Sequence, residues 1–394
     1  MDAPTDAPKF PAWAASITDE QEFKREQTRL GGVWTFLGRA QDVAQDGDWF
    51  TATLGGRSIF VQRFGDTLKG FENRCAHRFY PIRTAEKGNG PIKCGFHHWL
   101  YNQEGRAVGI PNSRDLFEAT PREIDARLAR VEIATCGWLV FGRFPDGSTT
   151  ESLAEFLGEG FSILEAMCPA TVAPQPVSLF VEANWKLCYH ISLDDYHSPA
   201  VHPATFGKGG YLKRKALRYF RFGSHSAFFP GADENGWAAM VAACRDGSYR
   251  PVRYRIFQIF PNLAVALFRA TRYWYVIVQQ YVPVAPNRSF MRGWYYRAPF
   301  STGKGWFGQL VDRISEPGRA RIVRYYIRQV HKEDNGVVER LQTVAGQLEG
   351  WPRLGYAEER IKWFEEAYAQ ALSGNAITVG DKGRDAANDR VLDQ

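Results

Sequence analysis

The chain has 394 residues, 44% of them hydrophobic and 14% aromatic, with 49 basic against 43 acidic residues for a net charge of +6. That apolar share supports a sizeable core, and the charges are spread without a basic block, which argues against a nucleic-acid arm and for ordinary solvated faces. Six scattered cysteines exclude a disulfide framework, and no stretch approaches the ~20 apolar residues of a membrane span, so a reducing, cytoplasmic setting is expected. The opening "MDAPTDAPKFPAWAASITDEQ" has early acids and prolines and no apolar core of a secretory signal.

Residues 1–30 read as a polar leader ending in a charged helix, "TDEQEFKREQTRL". After Gly31-Gly32 come short alternating runs, "WFTATL", "SIFVQRF" and "LKGFENR", separated by Gly55-Gly56 and Gly65-Asp66. Glycine pairs and Gly-Asp between such runs are hairpin signals, so a small antiparallel sheet is expected. It continues through "GWLVFGRF" to the polar turn "PDGSTTES", which sets a domain boundary near residue 150. Beyond it, "LAEFL" and residues 183–193 read as helical, while "RYRIFQIFPNLAVALFRA" and "YWYVIVQQYVPVAP" read as long strands rich in β-branched and aromatic residues. A long amphipathic helix is predicted over roughly 318–348 and another near 357–372, before a polar tail over 373–394. The expected organisation is therefore α+β: a leader (1–30), an all-β domain (31–150), a mixed domain (151–372) and the tail.

Within the all-β domain lies "CAHRFYPIRTAEKGNGPIKCGFHHWLYNQEG". Cys75 and His77 are two apart, Cys94 and His97 three apart, and sixteen residues separate the pairs. Each short spacing suits a loop that aims two ligands at one point. Two thiolates and two imidazoles fit a tetrahedral zinc site, or a [2Fe–2S] cluster in which the cysteines hold one iron and the histidines the other. Zinc pairs more often place like ligands together, whereas here each loop brings one of each. The order Cys-x-His…Cys-x2-His, with "HR" after the first loop and "WLY" after the second, resembles the Rieske domain. His98 is expected to be a bystander, since His97 carries the x2 spacing.

The second constellation is "LDDYHSPAVHP", residues 193–203. His197 and His202 are five apart, which on a regular helix rotates them by about 140°, and Pro199 between them disfavours an undisturbed helix. Two histidines and a carboxylate with open positions form the facial triad of oxygen-activating Fe(II) sites. Ordinary buried or surface histidines are the plain alternative.

"EANWKLCYHISLDDYHSPAVHP" resembles the catalytic segment of Rieske non-haem iron aromatic-ring-hydroxylating oxygenases, in their alpha (terminal oxygenase) subunits. Asn184, Trp185, Lys186, Asp194, Tyr196, His197 and His202 carry the likeness. A late "HKEDNGVVERLQ" supplies Asp334 as the third ligand, with Glu339 and Gln342, and "FPNL" at 260–263 lies between. The resemblance runs along essentially the whole chain and implies a Rieske domain followed by a helix-grip catalytic domain. It implies a [2Fe–2S] cluster on Cys75, His77, Cys94 and His97, and one Fe(II) on His197, His202 and Asp334. O2 would be the co-substrate, with electrons from a separate reductase, directly or through a ferredoxin, so that NAD(P)H acts only indirectly. The chain carries no Gly-x-Gly-x-x-Gly fingerprint of its own.

By the same resemblance Asp194 bridges electrons between a Rieske histidine, His97 or His77, of a neighbouring subunit and His197 or His202; a helix-capping Asp is the structural alternative. Such transfer implies a homotrimer (α3), or α3β3 with a small beta subunit. Where many members have Asn, this chain has His190. His190, Ile191, Ser198 and Val330 are candidate pocket residues, and Asp195 has no assigned purpose. Ring dihydroxylation, monohydroxylation and O- or N-demethylation all use one triad, and the motifs leave the choice open.

Overall fold

The computed structural model describes residues 13–145, 150–202, 216–231, 235–270, 272–300, 306–347 and 350–373. All but the first residue of the expected polar tail, and most of the leader's proline-rich start, lie outside them. The chain divides into two compact units, residues 26–156 on one side and residues up to 25 with those from 157 onward on the other. The charged helix Glu20–Leu30 crosses the first division, and a short helix, Trp13–Thr18, precedes it inside the stretch expected to be leader.

In residues 26–156 the alternating runs form strands β1 (Thr35–Arg39), β2 (Asp48–Leu54), β3 (Arg57–Phe64), β4 (Thr67–Glu72) and β5 (Lys87–Asn89). They are followed by β6 (Ile92–Lys93), β7 (Leu100–Tyr101), β8 (Ala107–Gly109), β9 (Arg130–Cys136) and β10 (Leu139–Arg143). A seven-stranded antiparallel sheet runs β1-β10-β9-β4-β3-β2-β5, and β6-β7-β8 form a small sheet of their own. Gly55 and Gly56 join β2 to β3 with φ of +55° and +71°. A two-residue hairpin loop needs both central residues in that left-handed region, which is why glycine stands at both. Phe60, Phe71, Ile82, Ile92, Trp99, Tyr101 and Leu128 pack into one core, and Cys75 and Cys94 are buried within it.

The second unit is built on an antiparallel sheet of β11 (Gln175–Val181), β12 (Tyr219–Phe222), β13 (His225–Phe228), β14 (Arg255–Ile259), β15 (Leu263–Ala270), β16 (Tyr273–Ala285) and β17 (Arg288–Arg297). Strands β12 to β17 follow one another across the sheet, and β11 closes the far edge beside β17. The run read as one long strand over 253–270 is instead a hairpin: β14 and β15 pair antiparallel, with Ile259 opposite Leu263. Pro261 and Asn262 turn the chain there, and the run is apolar on both sides of them, so no change of pattern marks the reversal. The second long strand stands as expected.

One face of this sheet takes a helix of 39 residues, Trp306–Val344. It begins well before the expected start near 318 and passes through Pro317. Proline removes one hydrogen bond and crowds one carbonyl; here the turns on both sides keep the helix continuous. Val323 and Ile327, four apart on its inner face, pack against Val177, Tyr275, Ile277 and Tyr295 of the sheet. Tyr295 Oη donates to the Ala320 carbonyl at 3.0 Å. The last helix, Glu359–Ser373, agrees with the expectation within two residues. The architecture is α+β, an all-β N-terminal domain followed by a domain of antiparallel sheet and helices.

Candidate metal centres

The first candidate site grows from two loops with one backbone plan. In the first, the Cys75 amide donates to the Tyr80 carbonyl (2.9 Å) and the Phe79 amide returns to the Cys75 carbonyl (3.0 Å). In the second, the Cys94 amide donates to Trp99 (2.9 Å) and the His98 amide to Cys94 (3.1 Å). Phe79 and His98, each four residues after its cysteine, take left-handed φ of +62° and +60° at the corner of the loop. His98 is thus the corner residue, while His97 sits one place earlier and brings its ring 4.7 Å from that of His77.

Unlike ligands are neighbours in sequence, but like ligands are neighbours in space. The two thiols lie deep: burial is the main cause that pushes the Cys75 thiol up, and contact with Cys94 adds to it. The imidazoles lie on the outer side, with His97 exposed and His77 half-buried. His77 Nδ1 is buried and has no hydrogen-bond partner, an orphan nitrogen that a metal would satisfy. The His77 ring stacks on Trp99 at 4.8 Å, only 2° from parallel. A thiol pair inside and an imidazole pair outside fit a cluster with two differently ligated irons better than one tetrahedral ion. Sequence reasoning missed Tyr101, whose hydroxyl lies 3.0 Å from Cys75 Sγ and accepts from the Ala76 amide at 3.1 Å.

The second candidate site begins at a capped helix. Asn184 N-caps Trp185–Leu193, its Oδ1 accepting from the Lys186 amide at 2.9 Å. Its Nδ2 donates to the Ile17 and Pro286 carbonyls at 3.0 and 2.8 Å, and its own amide is held by Gln342 Oε1 at 2.8 Å. Glu339 similarly accepts from the Glu182 amide at 3.1 Å. These bonds fasten the start of the 185–193 helix to the end of the long helix, which carries Asp334.

The chain leaves helical geometry at Asp194 and restarts as the single turn Ser198–Val201. That break lets the two histidines meet. His197 Nε2 and His202 Nε2 lie 3.2 Å apart, and Asp334 Oδ1 is 3.6 Å from the first and 3.0 Å from the second. His197, His202 and Asp334 can each place a ligand atom within 4.8 Å of the others. Asp334 Oδ1 is buried, and its close approaches lack hydrogen-bond alignment. Two neutral imidazole lone pairs and a carboxylate oxygen facing one another are repulsive unless a cation sits among them, so the donor set fits a divalent metal such as Fe(II). Burial alone would lower the His202 pKa, yet the Asp334 and Glu333 carboxylates outweigh it and the net shift is upward.

The doubled acid separates cleanly. Asp194 Oδ1 accepts from the Tyr196 and His197 amides at 2.6 and 3.3 Å, and Oδ2 lies 3.4 Å from His197 Nδ1. It therefore caps the break and faces a candidate ligand at once. Asp195 turns away from the site into a salt bridge with the fully buried Arg360 at 2.8 Å. Arg360 also donates to Gln258 at 2.6 Å, and the Asp195 amide donates to the Ala357 carbonyl at 3.1 Å. Burial raises the Asp195 pKa and the Arg360 charge opposes that shift.

The pocket candidates scatter. His190 is buried, with Nε2 2.9 Å from Glu365 Oε1 but out of line for a hydrogen bond, and its ring meets the edge of Phe364. Ile191 is buried, while Ser198 and Val330 are half-buried near the triad's own elements. A small cavity lined by Tyr189, Leu193, Gln258, Phe260 and Phe364 among others includes none of the four. Two further residues beside the triad escaped sequence reasoning. His331 is buried three residues before Asp334; burial lowers its pKa and the Asp334 charge opposes this. Glu333, next to Asp334, meets His202 from the other side.

Residues 33–121 match the family model of the Rieske [2Fe-2S] domain, and residues 170–374 match that of the ring hydroxylating alpha subunit, catalytic domain. The large subunit of anthranilate 1,2-dioxygenase from Burkholderia cepacia is 25% identical over 250 residues, 59% of this chain and 55% of that protein. The terminal oxygenase component subunit alpha 2 of terephthalate 1,2-dioxygenase from Comamonas sp is 30% identical over 202 residues, 47% of each chain. The aligned spans thus cover about half the length of these curated relatives. The crystal structure of naphthalene 1,2-dioxygenase from Rhodococcus sp. bound to indole superposes with a TM-score of 0.69 over 92% of this chain and 94% of that one, at 21% identity. That likeness speaks for the fold. With a Rieske domain followed by a catalytic domain whose family model spans more than half of its residues, the chain belongs to the ring-hydroxylating alpha subunits of the Rieske oxygenases.

Proposed function

We propose that this chain is the terminal oxygenase of a multicomponent system that hydroxylates an aromatic or similar small organic substrate with O2 and externally supplied electrons. The observation that carries the reading is the convergence of His197, His202 and Asp334 ligand atoms within 4.8 Å, in a chain that also carries the paired thiol and imidazole loops. Both curated relatives described above are named for acting on aromatic acids, which supports an aromatic substrate.

In this reading Cys75, Cys94, His77 and His97 hold a [2Fe–2S] cluster, and His197, His202 and Asp334 hold Fe(II). When bound, the cluster supplies single electrons and the Fe(II) supplies a site for O2 chemistry. The protein's own part is orientation. The broken helix presents both Nε2 atoms and the long helix presents one carboxylate oxygen, so that His197, His202 and Asp334 would hold the metal with three protein ligands and would leave other positions open to O2. His190 and Ile191, on the 185–193 helix, and Ser198 and Val330 are the side chains assigned to shape the substrate space.

Asp194 is assigned as the bridge, with one oxygen toward His197 and a Rieske histidine of a neighbouring copy as its other partner. Transfer between copies needs a head-to-tail contact that closes on itself, which a three-fold ring satisfies. A reductase, directly or through a ferredoxin, supplies the electrons.

The test has two arms. Metal and sulfide analysis should give about three irons and two sulfides per chain. A panel of aromatic acids and hydrocarbons with a surrogate reductase should give products heavier by one or two oxygens. Zinc without sulfide, or NAD(P)H-dependent turnover retained after Asp334→Ala, would overturn the reading. Products lacking a methyl group would redirect it to oxidative demethylation by the same triad.

A further inference from the structure

We propose that Glu333 is a positioning residue for the metal-facing imidazole of His202, fixing its tautomer and the direction of its lone pair. The inference rests on the reading of His197, His202 and Asp334 as the iron site and assigns that site a fourth residue.

His202 Nδ1 lies 2.7 Å from Glu333 Oε2, closer than His197 Nδ1 lies to Asp194 Oδ2 at 3.4 Å. An ionised carboxylate can only accept. A proton on Nδ1 satisfies that contact, and the neutral ring then turns its Nε2 lone pair toward His197 Nε2 (3.2 Å) and Asp334 Oδ1 (3.0 Å). Glu333 and Asp334 are consecutive on the long helix, so their side chains leave it about 100° apart. One reaches the Nδ1 end of the His202 ring and the other the Nε2 end. The longer glutamate arm suits the far side of the ring. The His202 side chain is only 2% exposed and that of Glu333 23%, so this hydrogen bond is made where water competes little.

His197 is held differently. Its Nδ1 is buried without a hydrogen-bond partner, and Asp194 Oδ2 stands 3.4 Å away while the other oxygen of Asp194 serves two backbone amides. The two histidines thus form an unequal pair, with Glu333 2.7 Å from Nδ1 of His202 and Asp194 3.4 Å from that of His197. A carboxylate on the distal nitrogen of a ligating histidine orients the ring and raises its basicity. Glu333 is placed to do that for His202.

The test uses the full chain with its cluster intact, the cluster's visible spectrum reporting the fold. Mononuclear iron is removed and Fe(II) is titrated back under anaerobic conditions. The dissociation constant is read together with the EPR signal of the nitric-oxide adduct. Glu333→Ala should weaken Fe(II) binding about 10- to 100-fold and alter the EPR rhombicity. Glu333→Gln, whose amide oxygen can still accept from Nδ1–H, should recover most of the affinity and the wild-type signal. Glu333→Asp keeps the charge but not the reach, and should behave like Ala; if E333A does not fold, the E333Q and E333D pair makes the same comparison. Equal affinity and signal in wild type and E333A would overturn the inference alone, as would E333Q no better than E333D. A wild-type chain that takes up no Fe(II) would overturn the iron reading and this inference with it.

Discussion

The two candidate metal centres are built on opposite principles. The Rieske loops draw all four candidate ligands from residues 75–97, on two loops of matching backbone plan beside a packed β core. The triad joins residues 197 and 202 on a broken helix to residue 334 on another, and depends on distant fastenings: Asn184, Gln342, Glu339, Asp195 and Arg360. A local site is fixed once its loops form. An assembled site is only as precise as the tertiary bonds that hold its pieces, so damage should stay local in the first and spread in the second.

The sharpest break between them is Asp334→Ala. It removes one candidate ligand of the assembled site and changes no residue of the loops. Turnover should fall to background and mononuclear iron should be lost, while the visible spectrum of the cluster stays as in the wild type. The reciprocal Cys75→Ser should bleach the cluster and leave Fe(II) binding measurable.

Next in size is the fastening of the helix break. Arg360 is fully buried, and removing it as Arg360→Met strands Asp195 as an unpaired buried acid. Breaking such a pair costs about 3–5 kcal/mol, seen as a lower thermal midpoint with loss of mononuclear iron. The double variant Asp195→Asn/Arg360→Met should recover much of that loss. If the single variant melts like the wild type, Asp195 does not anchor the break.

How much of this was legible follows from sequence distance. The loop ligands stand close together, and their spacing alone narrows the chemistry to two choices. The hairpins of the β domain were legible for the same reason, because glycine pairs mark their turns. The triad was legible only through a family pattern, since nothing in "HSPAVH" says which of the later acids completes it. The partners that orient it were not legible. Glu333 meets a histidine 131 residues away and Arg360 an aspartate 165 residues away, and neither carries a local signal. The β14–β15 hairpin was missed because its run is apolar on both faces, so alternation fails where burial is two-sided. The long helix was expected from about 318, yet it runs from Trp306 through Pro317, because helix turns on both sides outweigh one lost bond.

Tyr101 offers a smaller and purely local perturbation of the first site. The Ala76 amide donates to its oxygen, so the hydroxyl proton is free to be donated to Cys75 Sγ at 3.0 Å. A hydrogen bond to a ligand sulfur stabilises the more negative, reduced cluster and so raises its potential. Tyr101→Phe should lower the midpoint by several tens of millivolts, the one-electron equivalent of a hydrogen bond of about 1 kcal/mol. Protein-film voltammetry measures this directly. Fe(II) affinity at the triad should not move, and an unchanged midpoint would mean the hydroxyl is not donating to the sulfur.

The mildest test separates fastening from ligation. Gln342 Oε1 accepts from the Asn184 amide at the start of the 185–193 helix, roughly 2.8 Å away and far along the long helix from Asp334. Gln342→Ala leaves every ligand in place and removes one part-buried hydrogen bond, a loss of about 1 kcal/mol. In a chain of this size that is a shift of only a few degrees in thermal midpoint. If the triad is truly assembled by such bonds, Fe(II) affinity should weaken measurably in the same variant, while the cluster potential does not change. A stability loss with unaltered Fe(II) affinity would show that the two helices hold their register without this contact, and would place the precision of the site in Arg360 and Glu333 instead.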